Sequence, residues 1–421
     1  MDFTKIELEQ LHEEYYRLEH PSGLTVLVYP KKDFGSVFAK IGTRFGSIYS
    51  HFLHNGKEVR VPDGTAHYLE HKLFESEDGD AFSKYAKTGA SANAYTSFDS
   101  TAYLFSCTER FEESLKILID LIQSPYFTPE TVAKEQGIIG QEIKMYEDSP
   151  DWRVLMNLLQ SMYHQHPIRI DIAGSVDTIA EITPEILYEC YHSYYNLHNM
   201  VLTVVGKVEP QQVLSILNET LRNDEPVQTE LLLPEEPETI VTPYVEQILP
   251  VTLPLFEIGF KHACPAPRTS AEMLAGELLL DCFCGRSSAL YRRLHDEKLA
   301  NATLSSEQMT GIGYHCVLLG GESRDPKAAY ELISEALLEL RRTGVQQEDF
   351  ERARRAGYRS MVGTLDNKQS LSSELMTGEF TGREFFDAFR VLQELKLSDV
   401  NDLLERSLDP TKCVLSVIRG E

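Results

Sequence analysis

Apolar and polar positions alternate in several short runs of the first hundred residues, and each run predicts a β-strand. Residues 24–31 (LTVLVYPK) and 36–43 (SVFAKIGT) are rich in β-branched and aromatic residues. Residues 91–96 (SANAYT) and 101–107 (TAYLFSC) flank the turn sequence SFDS, which predicts a hairpin. These runs indicate a largely antiparallel sheet.

Helical periodicity occupies the stretches between these strands. One helix is predicted to start near Asp63, and another runs through DAFSKYAKT and stops at Gly89. Strands and helices therefore mix along the chain. This mixture predicts an α+β fold, with helices on one face of a mainly antiparallel sheet.

The second part of the chain repeats the pattern of the first. FEESLKILIDLIQSPYFTPETVAKEQ and AAYELISEALLELRRTGVQQEDFERAR each predict two helices separated by a turn. TPEILYECY and LSDVNDLLERSL each predict a helix that leads to an apolar strand. Residues 226–243 are rich in Pro and Glu without helical period, and they predict a linker. We expect two homologous halves, residues 1–225 and 244–421, each an α/β sandwich.

Charge and cysteine content narrow the class of protein. The net charge of −25 disfavours binding to nucleic acid or anionic membranes. The acidic N-terminus lacks the apolar run of a secretory signal, and no segment is apolar for long enough to span a bilayer. Seven scattered cysteines argue against a disulfide framework, and Cys282 and Cys284 fit buried helix positions. A cytoplasmic protein is expected.

The stretch HYLEH, residues 67–71, carries the strongest chemical signal. His67 and His71 are four residues apart and project from one helix face, with Glu70 nearly on the same face. Neutral imidazoles so placed can bind one zinc ion, and the carboxylate can act as general base on a zinc-bound water. The order H-x-x-E-H is a zinc-protease signature. A surface helix with hydrogen-bonded histidines is the alternative.

A third metal ligand has to come from another element, and TPETVAKEQGIIGQEIKMYEDSPDW is the best source. Thr128 and Pro129 predict the N-cap and first residue of a helix. Glu135 and Glu142 lie seven residues apart, on one face. Two carboxylates beside an apolar stripe are costly unless a cation meets them. We assign Glu142 as ligand and Glu135 as the carboxylate that orients the site. Ordinary exposed helix carboxylates are the alternative.

HYLEH followed by EQGIIGQE resembles the pitrilysin/insulinase family of inverted-motif zinc peptidases. The similarity continues through GASANAYTSFDSTAYLFS and through the segment from HPIRIDIAGS to MVLTVVG, and it covers nearly the whole chain. EHKLFE, GIIGQEI and DWR are similar to a bacterial branch of the family. The resemblance implies two halves joined by the linker into a clam-like shape, a zinc cofactor and peptide substrates.

The resemblance also implies a role for each residue of the motifs. His67, His71 and Glu142 match the zinc ligands, Glu70 matches the general base, and Glu135 matches the supporting acid on the ligand helix.

The strand SANAY matches the edge strand on which the family binds substrate. Asn93 and Ala94 would lie beside a peptide that adds to the sheet as a further strand. A polar residue near a strand start is the alternative for Asn93.

The second half departs from the family pattern at the substrate clamp. Family members usually supply an Arg and, seven residues later, a Tyr. SSALYRRLHDEKLANATLSS instead has His295 at the Arg position and Asn301 near the Tyr position, while Arg292 and Arg293 come one turn early. The chain therefore resembles the zinc subunit of the family's two-subunit processing peptidases. We predict a heterodimer with a paralogue that supplies the clamp, with a homodimer as the alternative.

Two functions remain from the sequence. The first is a zinc endopeptidase that hydrolyses peptides or short unfolded segments. The second is a non-catalytic scaffold subunit that retains the peptidase fold. A purely structural zinc site is weaker, because such sites favour four protein ligands and cysteine, and no cysteine lies near HYLEH.

Overall fold

The computed structural model describes residues 2–77, 79–262 and 268–421. Its strands are β1 (Thr4–Leu8), β2 (Glu13–Glu19), β3 (Thr25–Pro30), β4 (Val37–Thr43), β5 (His51–His54), β6 (Lys57–Arg60), β7 (Glu75–Ser76), β8 (Gly79–Asp80), β9 (Ser91–Thr96), β10 (Thr101–Cys107), β11 (Met200–Gly206), β12 (Thr229–Leu231), β13 (Tyr244–Ile248), β14 (Leu255–His262), β15 (Ser305–Gly311), β16 (Tyr314–Glu322) and β17 (Cys413–Arg419). Its α-helices are α1 (Thr65–Leu73), α2 (Ala81–Thr88), α3 (Phe111–Gln123), α4 (Pro129–Glu147), α5 (Pro150–Met162), α6 (Val176–Ile179), α7 (Pro184–Tyr194), α8 (Pro210–Thr220), α9 (Ser270–Cys284), α10 (Ala289–Asp296), α11 (Pro326–Thr343), α12 (Gln347–Thr364), α13 (Lys368–Thr381), α14 (Asp387–Glu394) and α15 (Leu397–Ser407).

The chain folds into two compact units, and neither is continuous in sequence. Unit 1 consists of Met1–Ile143, Asp171–Leu232 and Gly363–Phe386, and unit 2 consists of the remaining segments, Lys144–Ile170, Leu233–Val362 and Asp387–Glu421. These units differ from the expected division into residues 1–225 and 244–421, because each takes one segment from the other part of the sequence.

The two main sheets share one topology. Unit 1 has the strand order β1-β2-β3-β11-β4-β10-β9, and unit 2 has β13-β17-β14-β16-β15. The last five strands of the first sheet, β3-β11-β4-β10-β9, correspond to the five strands of the second. In both sets the first pair of neighbours is parallel and the other three pairs are antiparallel. The predicted fold class of two homologous α/β sandwiches is confirmed at the level of strand order.

Helices α5 and α13 account for the discontinuity of the units. Helix α5 is the third helix after β10, and α13 is the third helix after β16. Each of these strands lies next to the edge strand of its sheet. Within unit 1, α13 packs on β11 and β4, whereas within unit 2, α5 packs on β17 and β14. The amphipathic pattern of a helix predicts a buried face but does not specify which sheet covers it.

Local predictions around the HYLEH motif agree closely with the structure. Strands β9 and β10 form the predicted hairpin, in which Thr96 pairs with Thr101. Helix α1 begins at Thr65 rather than near Asp63, and its N-cap is Gly64. Gly64 has φ +90°, and a Cβ there would lie 2.4 Å from the carbonyl oxygen of Ala173, so glycine is required by conformation and by space.

The predicted linker is mostly irregular but is not entirely without structure. Within residues 226–243, β12 pairs with β5 in a three-stranded sheet, and no helix forms. No helix of the described residues is long and apolar enough to cross a membrane. The six cysteines in the described ranges are free thiols, and Cys264 lies outside those ranges. Cys284 is buried near the end of α9, as expected for a core position.

Candidate metal centre

Helices α1 and α4 bring three potential ligands of unit 1 together. His67 and His71 lie on α1 and Glu142 on α4, and one ligand atom from each lies within 4.8 Å of the others. Nε2 of His67 is 3.7 Å from Oε1 of Glu142, and Nε2 of His71 is 3.4 Å from Oε2 of Glu142. These are the three residues that the sequence assigned to the metal.

These separations fit a shared metal ion better than hydrogen bonds. Hydrogen bonds from N–H to oxygen span about 2.7–3.2 Å. Two atoms bound to one tetrahedral zinc, at about 2.0–2.2 Å each, lie about 3.3–3.6 Å apart. Two imidazoles and one carboxylate are also a known donor set of catalytic zinc sites, which leave one position open. The donor chemistry and the spacing both fit zinc.

Glu135 lies behind the potential ligands rather than among them. Its Oε1 is 3.0 Å from Nδ1 of His71. In the neutral imidazole, a proton on Nδ1 donates to Glu135 and leaves the lone pair of Nε2 free for a metal. Glu135 therefore orients His71 through a hydrogen bond, the position that the sequence analysis gave it.

Burial and hydrogen bonding together set the protonation of this group of side chains. Burial lowers the pKa of His67 to about 3, so its imidazole is neutral at pH 7, the form that binds metals. The hydrogen bond with His71 lowers the pKa of Glu135 and keeps that carboxylate charged. Burial raises the pKa of Glu70, which makes it a stronger base than an exposed carboxylate.

Thr96 is a site residue that the motif search missed. Its Oγ1 donates a hydrogen bond of 2.7 Å to Oε2 of Glu70. The two residues are 26 positions apart and lie on different elements, β9 and α1. A threonine at the end of an alternating strand carries no signal of this contact, because the contact depends on how α1 packs against the hairpin.

Asn93 and Ala94 lie on the edge strand of unit 1. Strand β9 pairs only with β10 among the described strands, so the backbone groups of its other side are available to a further strand. Asn93 is exposed, and its Oδ1 accepts a hydrogen bond from the backbone N–H of Ala94. The predicted position of this strand at a sheet edge is therefore present.

His295 and Asn301 lie in unit 2 and make local contacts there. The side chain of His295 is 67 % exposed at the end of α10, beside Asp296. Asn301 donates a 2.6 Å hydrogen bond to Glu322 and accepts one from the backbone of Thr303. His295 therefore lies at the exposed end of a helix, and Asn301 lies in the turn that follows it.

Comparisons with known proteins identify the family of the chain. Residues 57–176 match the family model described as Insulinase (Peptidase family M16), and residues 181–356 match the one described as Peptidase M16 inactive domain. The chain is 40% identical over 415 residues to the zinc protease YmfH of Bacillus subtilis (strain 168), and the alignment covers 96% of each chain.

Two further similarities extend this picture. The chain is 26% identical over 227 residues to the Arabidopsis thaliana protein named "Probable mitochondrial-processing peptidase subunit beta, mitochondrial", covering 52% of this chain and 43% of that one. The crystal structure of an M16-like peptidase from Alicyclobacillus acidocaldarius superposes with a TM-score of 0.93 and 34% identity, covering 100% of this chain and 99% of that one.

Proposed function

Because the chain belongs to the insulinase family of M16 peptidases, we propose that it is a zinc metallo-endopeptidase that hydrolyses peptides or short unfolded segments. The observation that carries the proposal is the cluster of His67, His71 and Glu142, with the carboxylate of Glu70 one residue before His71 on the same helix. The name of the 40% identical relative, a zinc protease, supports zinc as the metal.

The roles of the side chains follow from their positions. His67, His71 and Glu142 would hold the ion, which supplies Lewis-acid polarisation of the scissile carbonyl and acidifies water at the site. Glu70 takes a proton from the attacking water as the new C–O bond forms. It then passes that proton to the leaving amine as the C–N bond breaks. Glu135 keeps His71 oriented throughout.

The edge strand β9 is the proposed binding site for substrate. A peptide in extended conformation can pair with the open edge of β9, beside Asn93 and Ala94. Backbone pairing of this kind accepts many sequences, which fits a peptidase that acts on short unfolded segments. The net charge of −25 favours cationic peptides over anionic ones.

A paralogous subunit is proposed as the partner. The family's Arg/Tyr pair is replaced by His295 and Asn301, and a relative is named as the beta subunit of a processing peptidase. A heterodimer in which the paralogue supplies the clamp accounts for this replacement, and a homodimer is the alternative. A cytoplasmic location stays a prediction from the sequence.

The proposal is tested by measuring zinc content and peptidase activity of the whole chain beside a Glu70→Gln variant, on a mixed pool of peptides. We expect about one zinc per chain in both proteins and cleavage only by the wild type. Absence of zinc at neutral pH would contradict the ligand assignment. Equal cleavage by both proteins would contradict the role of Glu70.

A non-catalytic scaffold subunit is the second candidate, and one observation favours it. Residues 181–356 match the model of the inactive M16 domain and lack the Arg/Tyr pair. Zinc binding without cleavage, both alone and with a paralogue that carries the pair, would favour the scaffold. Retention of all three potential ligands and of Glu70 argues for the peptidase.

A further inference from the structure

The carboxylate of Glu70 has one hydrogen-bond partner among the described residues, the hydroxyl of Thr96. Glu70 is 7% exposed, and the bond from Oγ1 of Thr96 to its Oε2 is 2.7 Å long. Oε2 is therefore engaged, and Oε1 is the oxygen left for proton transfer. A side chain with three rotatable bonds would otherwise be free to turn both oxygens away from the substrate.

The hairpin fixes the position of Thr96, and the hydroxyl of Thr96 lies beside that of Thr101 on the opposite strand. Thr96 pairs with Thr101 across the hairpin, and their hydroxyl oxygens are 3.3 Å apart. The hydroxyl of Thr101 is fully buried and donates a 2.7 Å bond to the carbonyl of Phe45. The ionised carboxylate of Glu70 can only accept, so the single proton of Thr96 goes to Glu70. The single proton of Thr101 goes to Phe45, so neither hydroxyl donates across the 3.3 Å between them.

From this network we propose that Thr96 is a positioning residue, which fixes the side chain of Glu70 in the conformation required for general-base action. The inference rests on the proposed function and adds a residue that neither the HYLEH motif nor the EQGIIGQE motif contains. Thr96 ends β9, the strand proposed to receive the peptide. The same strand would thus hold both the substrate and the base, which keeps the distance between them constant.

The test compares Thr96→Val, which keeps the shape and removes the hydroxyl, with Thr96→Ser, which keeps the hydroxyl. Both are made in the full chain and assayed on one fluorogenic peptide. We expect Thr96→Val to lower kcat by about ten- to a hundredfold, the effect of losing one hydrogen bond to a charged group. KM should change less than twofold, because the hydroxyl does not contact substrate. Thr96→Ser should recover most of kcat.

A second measurement does not depend on turnover. Crystal structures of both variants are expected to show Glu70 in more than one conformer in Thr96→Val and in a single conformer in Thr96→Ser. An ordered, unmoved Glu70 in Thr96→Val, or an equal loss of kcat in both variants, would overturn the proposal. The proposal would also be overturned if Thr96→Val lost zinc, or if its melting temperature fell far enough to explain the loss of kcat.

The two measurements separate this inference from the proposed function. If the wild type binds zinc but cleaves nothing, the proposed peptidase fails or requires its partner. The conformation of Glu70 in the variant crystals still decides whether Thr96 positions it.

Discussion

Units 1 and 2 share five strands in the same order, yet only unit 1 has a cluster of potential metal ligands among the described residues. Helix α4 is the second helix after β10, and α12 is the second helix after β16, so the two helices hold equivalent places. Aligning the buried Val132 of α4 with the buried Phe350 of α12 places Ala353 at the position of Glu135 and a serine at the position of Glu142.

The first helix after β4 and the first helix after β14 differ in the same way. In unit 1, α1 presents two histidines and a glutamate to the site, whereas α9 of unit 2 contributes Leu274, Leu278 and Leu279 to an apolar core. The shared topology is therefore maintained by apolar positions, and the polar chemistry is not required for it. A duplicated fold can retain its sheet while one copy loses, or never acquires, a metal centre.

The strands β4 and β14 show a second contrast, between the buried Lys40 and the partly buried Glu257. Lys40 of β4 pairs with Thr203, the fourth residue of β11, and Glu257 of β14 pairs with Ser416, the fourth residue of β17. Lys40 and Glu257 therefore hold equivalent positions. The amine of Lys40 donates a 2.8 Å bond to Ser373 of α13. Each unit thus has a titratable group in the central strand of its sheet.

The largest expected difference between the units concerns metal binding. Glu142→Ala should reduce zinc from about one per chain to almost none and lower peptidase activity at least a thousandfold, because it removes one of three ligands. Metal analysis and peptide cleavage measure both effects. Ser360→Ala, at the equivalent position of α12, is the matched control and should leave both unchanged. Zinc retained in Glu142→Ala would contradict the assignment of Glu142 as a ligand and the contrast between α4 and α12.

The missing clamp of unit 2 predicts a dependence on a partner. Addition of a paralogous chain that carries the Arg/Tyr pair should raise kcat/KM by about ten- to a hundredfold, since such donors stabilise the developing oxyanion. Peptide cleavage with and without the paralogue measures the gain. A chain that is equally active alone would show that His295 and Asn301 do not limit it.

The contrast between Glu135 and Ala353 predicts a smaller effect on affinity. Glu135→Gln should weaken zinc binding by about ten- to a hundredfold, because His71 loses a charged hydrogen-bond partner. Competition with a chelator of known affinity measures the change. Unchanged affinity would mean that helix packing alone orients His71.

The two titratable groups predict effects on stability, of about 3–5 kcal/mol in the free energy of unfolding. Burial lowers the pKa of Lys40 to about 8, and burial together with the charges of Glu307 and Asp151 raises the pKa of Glu257 to about 8. Between pH 8 and 10.5 the unfolded Lys40 binds more protons, so the wild type gains stability as pH rises. Between pH 4.5 and 8 the folded Glu257 binds more protons, so the wild type loses stability as pH rises.

Urea unfolding of Lys40→Met and Glu257→Gln measures these opposite slopes. The stability of Lys40→Met relative to wild type should decline between pH 8 and 10.5, and that of Glu257→Gln should increase between pH 4.5 and 8. Parallel pH profiles for variant and wild type would mean that the group titrates equally in both states.

The sequence by itself determined the features that depend on neighbours along the chain. Strand alternation specified the β9–β10 hairpin, and helical period placed Glu135 and Glu142 on one face of α4. The i, i+4 spacing of His67 and His71 specified a pair of ligands. These features follow from the fixed periods of strand and helix, which act over a few residues.

Tertiary structure alone decided which surfaces meet. The burial of α13 in unit 1 and α5 in unit 2 and the bond between Thr96 and Glu70 depend on contacts between distant segments. Periodicity states that a face is buried, but it does not state against what, because any apolar surface of similar shape satisfies it. A hydrogen bond across 26 residues requires the register of a sheet and the docking of a helix, and only the folded chain provides both.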